Sequence, residues 1–356
     1  MGASRASYHQ MTRALALRIP LHLTLRWLTV AAVALLLALV VGQAATSASA
    51  AVKVPPSARA LAVTGGAALP RSERSRADEV LALLGDTLLG ASGRLRVHIV
   101  PVAEWEGITG AFGGTVAKAD GVYPVPGGID GRSFALVALR DFSLKTGAYV
   151  GGYRMGYWPA ELRRVRSRAY QNPAGFVEVT EANADTPVSD HFRLRDFLTH
   201  DQSSVWPKYL VLSEALLDKL ELVLGDLERS GHPTAHVIVL SGFRTPAYNL
   251  ALGDASGRAR ESRHQYGDAA DIIIDSDGDG RMDDLDMDGR SDVGDVRVIE
   301  RAVERVERAH PELVGGLGLY QSMGPSGPFA HIDVRGEAAR WTRSRSESPH
   351  FPGCCR

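Results

Sequence analysis

Cysteine is almost missing from this chain. Its only two, Cys354 and Cys355, sit side by side at the C-terminal end. Neighbouring cysteines do not readily reach disulfide geometry with each other. That excludes an internal disulfide framework and leaves an intermolecular bridge or a plain frayed tail. A charge excess is missing too. Lys and Arg number 40 against 41 Asp and Glu, a net charge of −1. A nucleic-acid partner calls for a basic face, so nucleic acid is not expected. Also lacking is an uncharged apolar run of the ~20 residues that a spanning helix needs. The longest, Trp27–Val41, is shorter. It follows a segment with Arg5, Arg13, Arg18 and Arg26 and no acidic residue, and it precedes Ala48-Ser-Ala50. A basic region, a short apolar core and an A-x-A site are the parts of a secretory signal. Residues 1–50 therefore read as a cleaved signal or as an uncleaved inner-membrane anchor. The expected location is exported, periplasmic or cell-envelope, with membrane contact only through that segment if it is retained.

The length allows one or two globular domains after the signal. Residues 51–75, rich in Ala, Pro, Ser and Arg, read as a linker. Residues 76–170 predict a small β-rich accessory domain. It opens with helical spacing of Val80, Leu81, Leu83, Leu84 and Leu88. Strand-like segments follow at Leu95–Val102, Gly114–Val125 and Ser133–Arg140. The aromatic, glycine-rich stretch Tyr149–Trp158 reads as a carbohydrate-binding face or as core plus turns. The basic stretch Arg163–Arg168 marks a boundary or a solvated helix face.

Residues 171–345 predict a second unit of α+β class, a mostly antiparallel sheet with flanking helices. One helix starts at an N-cap, Ser213, and runs to Arg229, with Leu216, Leu217, Leu220, Leu224 and Leu227 on one face and Gly231 as its stop. A second covers Asp295–His310. Strands are expected at His236–Leu240, Leu317–Tyr320 and Phe329–Val334, and 346–356 is a tail.

Three residues carry candidate chemistry. His264 and Asp271 lie in a loop that enters a strand at Asp271. His331 lies on another strand, where alternation gives it the face of Phe329 and Asp333. Two neighbouring strands would present Asp271 and His331 side by side, with His264 arriving from the loop. Imidazole and carboxylate together suit zinc, and three protein ligands leave a position for water. From spacing alone, buried histidines satisfied by hydrogen bonds are the competing reading.

Four segments resemble the zinc D-Ala-D-Ala peptidase family, its exported cell-wall branch in particular, whose fold is shared with hedgehog signalling domains. They are Ser241-Gly-Phe-Arg-Thr-Pro-Ala-Tyr-Asn249, Ser262-Arg-His-Gln-Tyr-Gly-Asp-Ala-Ala-Asp-Ile272, Gly316-Leu-Gly-Leu-Tyr320 and Phe329-Ala-His-Ile-Asp-Val-Arg-Gly336. His191-Phe-Arg-Leu-Arg-Asp-Phe197 is similar to the family's domain opening. Nothing before residue 170 is covered. The resemblance implies that His264, Asp271 and His331 are zinc ligands. It implies that Arg244 contacts substrate near the scissile carbonyl, a role suited to a fixed guanidinium, with a structural salt bridge as the alternative. It places Ser262 where it binds substrate or orients the loop. Many members carry a catalytic Glu, Asp or His two or three residues before the last zinc histidine. Here Pro328 and Phe329 stand in those positions, and neither accepts a proton. Asp333 is then a base or a partner that holds the His331 tautomer, and Asp268 and His191 are further candidates for the base.

An acidic insertion, 275–295, follows the second ligand. Asp275, Asp277, Asp279, Gly280, Asp283 and Asp286 fit one calcium-type loop. A second frame starts at Asp284 with Asp286, Asp288, Gly289, Asp292 and Asp295. The frames share Asp284–Asp286. One or two calcium ions, or an extended solvated loop, are the readings.

The function expected is zinc-dependent hydrolysis of peptide bonds in peptidoglycan stem peptides or cross-links, of carboxypeptidase or endopeptidase type. The rival is a catalytically inactive, zinc-stabilised cell-wall binding module. A secreted peptidase of ordinary proteins is a third reading.

Overall fold

A computed structural model describes residues 88–105, 121–125, 127–164, 167–251, 259–321 and 325–343. The expected signal or anchor, linker and C-terminal tail lie outside these residues, as do most of the helix expected at Arg76–Leu89 and of the strand expected at Gly114–Val125. Every described residue belongs to one compact unit, within Ala67–Arg356. Among the described residues no helix is long and apolar enough to cross a membrane.

The fold is mixed α+β, with several small sheets and few helices. The largest sheet joins β10 (Val237–Ser241), β11 (Ala269–Ile274), β13 (Phe329–Asp333), β12 (Gly316–Tyr320) and β14 (Ala339–Arg343), in that spatial order. Its pairs are antiparallel except β12 with β14, which is parallel. Side-chain alternation divides this sheet into two faces. Ala270, Ile272, Leu317, Leu319, Ala330 and Ile332 stand in register on one face, and all are buried. Helix α3 (Val293–Ala309), which follows the short α2 (Pro246–Ala251), packs on β12 and β13 and against helix α1 (Glu214–Arg229). The other face presents Asp271, His331, Phe329, Asp333 and Tyr320. It carries two of the three candidate ligands, Asp271 and His331.

Helix α1 runs as its pattern predicts, from N-cap Ser213 to Arg229, with Gly231 beyond its end at φ 88°. The Leu face is fully buried. Three polar residues of α1 are buried as well, and each has a partner. Asp218 accepts from the backbone N–H of Ala91 and Ser92, at 2.9 and 2.8 Å. Glu221 accepts from the His191 backbone N–H at 2.9 Å and meets its ring Nδ1 at 2.8 Å. Lys219 donates to Glu307 and to the Asp333 carbonyl, both at 2.8 Å. Helix α3 begins at Val293, two residues before the predicted start. Asp292 is its N-cap, and Asp295 closes a capping box onto the Asp292 backbone.

Strand pairing bridges the boundary expected at 170/171. A three-stranded sheet of β4 (Arg140–Asp141), β8 (Gly175–Val179) and β9 (Lys208–Leu210) crosses it. The larger of two hydrophobic clusters among the described residues runs from Leu95 and Val97 through Trp158 and Phe176 to Ile332. A second, smaller cluster of Leu88, Leu89, Val100, Tyr123, Val125, Ile129, Phe134 and Leu136 lies within the β-rich segment itself. The strands β1 (Val97–Val100), β2 (Val122–Pro124) and β3 (Ala135–Ala138) form a small mixed sheet. Further on, β5 (Lys145–Thr146), β6 (Tyr149–Val150) and β7 (Tyr153–Arg154) form a meander. The aromatic stretch is mainly core. Tyr153, Met155 and Trp158 are 0% exposed, whereas Tyr149 and Tyr157 remain at 47% and 44%.

The His191–Glu221 contact gives this fold a pH signature. The hydrogen bond that the His191 ring donates to the Glu221 carboxylate holds the imidazole above its ordinary 6.5, against the opposing effect of burial. The stabilisation is complete below the unfolded value and fades as pH rises through the folded one. A His191→Ala variant should therefore lose more stability, relative to wild type, near pH ~5.5 than near pH ~9 in urea titrations. An equal deficit at both values would show that the ion pair contributes nothing.

Candidate metal centre

The site begins with a tight turn. Ser262 is the N-cap of a 3-10 turn, Arg263–Tyr266, that ends at Gly267 with φ 66°. A side chain at Gly267 would place its Cβ 2.0 Å from the Val211 carbonyl oxygen, so only glycine lets the chain pass. The turn is tied from several sides. The backbone N–H of Arg244 donates to the His264 carbonyl at 3.0 Å, and that of Ser213 to the Gly267 carbonyl at 2.9 Å. Trp158 donates its indole N–H to the Gln265 carbonyl at 2.9 Å, across 107 residues. No sequence signal pointed to Trp158; the contact exists only once the core is shared.

Strand register supplies the other two ligands. Asp271 of β11 lies directly opposite His331 of β13. His264 Nε2 is 3.1 Å from His331 Nδ1 and 3.2 Å from Asp271 Oδ1, and His331 Nδ1 is 2.8 Å from the same Oδ1. Ligand atoms ~2.0–2.1 Å from a tetrahedral zinc would stand roughly 3.3 Å apart, so a zinc ion fits this triangle. All three residues are buried, at 1%, 6% and 6% exposure.

The surrounding hydrogen bonds fix which atoms face inward. His264 Nδ1 lies 2.7 Å from the Gly242 carbonyl. A carbonyl only accepts, so Nδ1 carries the hydrogen and Nε2 turns a lone pair inward. His331 Nε2 lies 3.1 Å from Asp333 Oδ2, which leaves Nδ1 as the inward atom. Burial, reinforced by Arg244, pushes His264 down to about 4. Burial opposes charge on His331, but Asp271 and Asp333 outweigh it and raise its value. For Asp271, burial is overcome by His264 and Arg244, which hold its carboxyl far below the usual range. Two imidazole nitrogens and a carboxylate oxygen gathered this way form a donor set for a divalent cation.

The remaining predicted residues divide by partner. Arg244 is buried; its Nη2 bonds Asp271 Oδ2 and its Nε donates to Ser241 Oγ at 2.7 Å. That is the salt-bridge alternative, and it leaves Asp271 Oδ1 turned to the histidines. Asp333 is 0% exposed. Besides His331 it accepts from the Gly316 N–H at 2.6 Å, the Arg335 N–H at 3.1 Å and the Arg335 guanidinium. With its oxygens so occupied, Asp333 orients His331 rather than accepting a proton from water. The Asp268 carboxylate is closed off by Arg263, whose Nε lies 3.0 and 3.1 Å from its two oxygens. His191 is engaged by Glu221 of α1. Ser262 is buried, and its carbonyl accepts from Gln265 at 3.1 Å.

The acidic insertion is arranged in two groups. Ligand atoms of Asp275, Asp277 and Asp279 gather within 4.8 Å of one another, as do those of Asp284, Asp286 and Asp295. Asp286 therefore stands with the second group and not at the end of the first loop. The reason is the start of α3: Asp295 accepts from Leu285 N at 2.6 Å and Asp286 N at 3.2 Å, drawing that segment to the helix. Asp283 accepts from Ser276 N at 2.9 Å, Asp288 from Arg290 N at 2.9 Å and Asp292 from Gly294 N at 2.6 Å; these bonds turn the loop. A cleft of about 710 Å³ opens between this insertion and the turn at Gly231–Ala235, and none of the triad residues line it.

Calorimetric titration with Zn²⁺ should find a site in the wild type that His264→Ala loses. Asp333→Asn should keep the fold and bind zinc about 10–100-fold more weakly, because the partner that orients His331 is impaired. Wild-type affinity in Asp333→Asn would remove the orienting role. Comparison of the chain with family models, curated proteins and solved structures found no match.

Proposed function

We propose that the protein is a zinc-dependent peptidase that hydrolyses peptide bonds of peptidoglycan stem peptides or cross-links, outside the cytoplasmic membrane. The observation that carries this reading is the convergence of His264 Nε2, Asp271 Oδ1 and His331 Nδ1 within 2.8–3.2 Å of one another. When bound there, zinc supplies the Lewis acidity that peptide hydrolysis needs. The chain's own residues do the rest. Gly242 and Asp333 hold the two imidazoles in the tautomers that ligate. Arg244 fixes the outer oxygen of Asp271 beside the centre. Ser262, two residues before His264, lies at the edge of the same turn. The substrate class rests on the resemblance of the four motif segments to cell-wall zinc peptidases, and export on the basic, apolar and small-residue order of residues 1–50.

A second reading, a zinc-stabilised binding module without catalysis, is favoured by one observation. Pro328 and Phe329 offer no proton acceptor, and the Asp333 carboxylate is fully engaged. Purified protein incubated with isolated muropeptides separates the two. The peptidase gives new products that disappear with chelator and in His264→Ala. Binding without products assigns the module, and cleavage of casein alone assigns a general secreted peptidase.

Calcium is the proposed second cofactor, held by the insertion at Asp275, Asp277 and Asp279 and at Asp284, Asp286 and Asp295. Asp275 directly follows the strand that bears Asp271, so the ion would stiffen that strand's exit. Calorimetry should show calcium uptake by chelator-treated protein; none at millimolar calcium would dismiss this cofactor.

A further inference from the structure

Phe329 occupies a place where a proton-handling group was expected, on the same strand face as His331. Its ring stacks flat on Tyr320, with centroids 4.5 Å apart and planes 7° from parallel. Strand register sets these two residues directly opposite each other. Tyr320 Oη accepts the Trp341 indole N–H at 3.1 Å. An indole N–H only donates, so this bond leaves the phenol's own hydrogen to be given elsewhere. Among the described residues no acceptor takes it.

Trp341 links this hydroxyl to the centre. Its ring lies over Gly318, where an added Cβ would come within 2.4 Å of the indole nitrogen. The same ring stands 5.1 Å from that of His331. Gly318 itself is paired with His331 across β12 and β13. The hydroxyl is thus held between a flat aromatic stack and an indole that touches a metal ligand. It belongs to the sheet face that carries the triad, and Tyr320 is only partly buried. Burial raises its pKa above the ordinary 10.0, and Asp271 adds to that. The group stays protonated at neutral pH, a donor rather than a base. Arg244, the other polar donor beside the centre, is bonded to Asp271 and Ser241.

We propose that Tyr320 is a catalytic residue of the peptidase described above, its hydroxyl donating a hydrogen bond to the carbonyl oxygen of the scissile peptide as negative charge builds there. No proton changes hands; the bond strengthens as the carbonyl becomes tetrahedral. The inference rests on the peptidase reading.

Tyr320→Phe keeps the ring on Phe329 and removes only Oη. On muropeptides, kcat should fall about 10²–10³-fold with little change in KM, the loss typical of one oxyanion donor. Zinc affinity by calorimetry should match wild type. A phosphinate analogue of a D-Ala-D-Ala dipeptide, which mimics the tetrahedral oxygen, should bind the zinc-loaded variant at least ~10-fold more weakly. Wild-type turnover in Tyr320→Phe overturns the inference alone. So does loss of zinc together with activity, which makes Tyr320 structural. A wild type that neither cleaves muropeptides nor binds the phosphinate overturns the peptidase reading and this inference with it.

Discussion

Asp271 and His331 face each other across one antiparallel strand pair, and the site depends on that register. A slip of β13 by one residue would turn His331 into the helix-packed face and bring Ile332 out, parting His331 from Asp271. The register is secured by the other side of the sheet, where Ile272, Leu317, Leu319, Ala330 and Ile332 are buried. Hydrophobic burial on one face therefore fixes the position of polar groups on the other. The same layer continues through Lys219, which is buried and donates both to Glu307 of α3 and to the carbonyl of Asp333. The end of β13 is clamped to both helices two residues after His331.

Around this pair, each inward-facing atom is set by what its opposite atom touches. The Gly242 carbonyl selects the His264 tautomer, Asp333 selects that of His331, and Arg244 occupies the outer oxygen of Asp271. Asp333 is itself held by Arg335 and the Gly316 N–H. Such nested partners keep acceptors close together although they repel one another, an arrangement that a cation relieves. The N-terminal half takes part through Trp158, whose indole bonds the carbonyl next to His264. The β-rich segment thus forms part of the support for the site.

Much of this was legible from residue order. The Leu spacing and Ser213 marked α1, and Gly231 its end. Alternation around His331 gave its face, and the motif segments singled out the three residues that the fold brings together. Less legible was anything that depended on contacts distant in sequence. Trp158 reads as one aromatic in a glycine-rich stretch until the turn at Gln265 lies against it. Asp286 fits two loop frames equally by spacing, and only the capping of α3 by Asp295 assigns it. The basic run Arg163–Arg168 gave no hint that Val97, Trp158, Phe176 and Ile332, from both sides of it, share one hydrophobic cluster.

By itself, the sequence determined the helices, the strand faces and the identity of the triad, because these follow from side-chain periodicity and local turn chemistry. Tertiary structure decided which atoms of the triad face inward, that Asp333 and Asp268 are engaged by arginines, and that Tyr320 stands beside Phe329 with its hydroxyl held by Trp341. Those outcomes depend on hydrogen bonds and packing between segments whose distance in the chain carries no information about their distance in space.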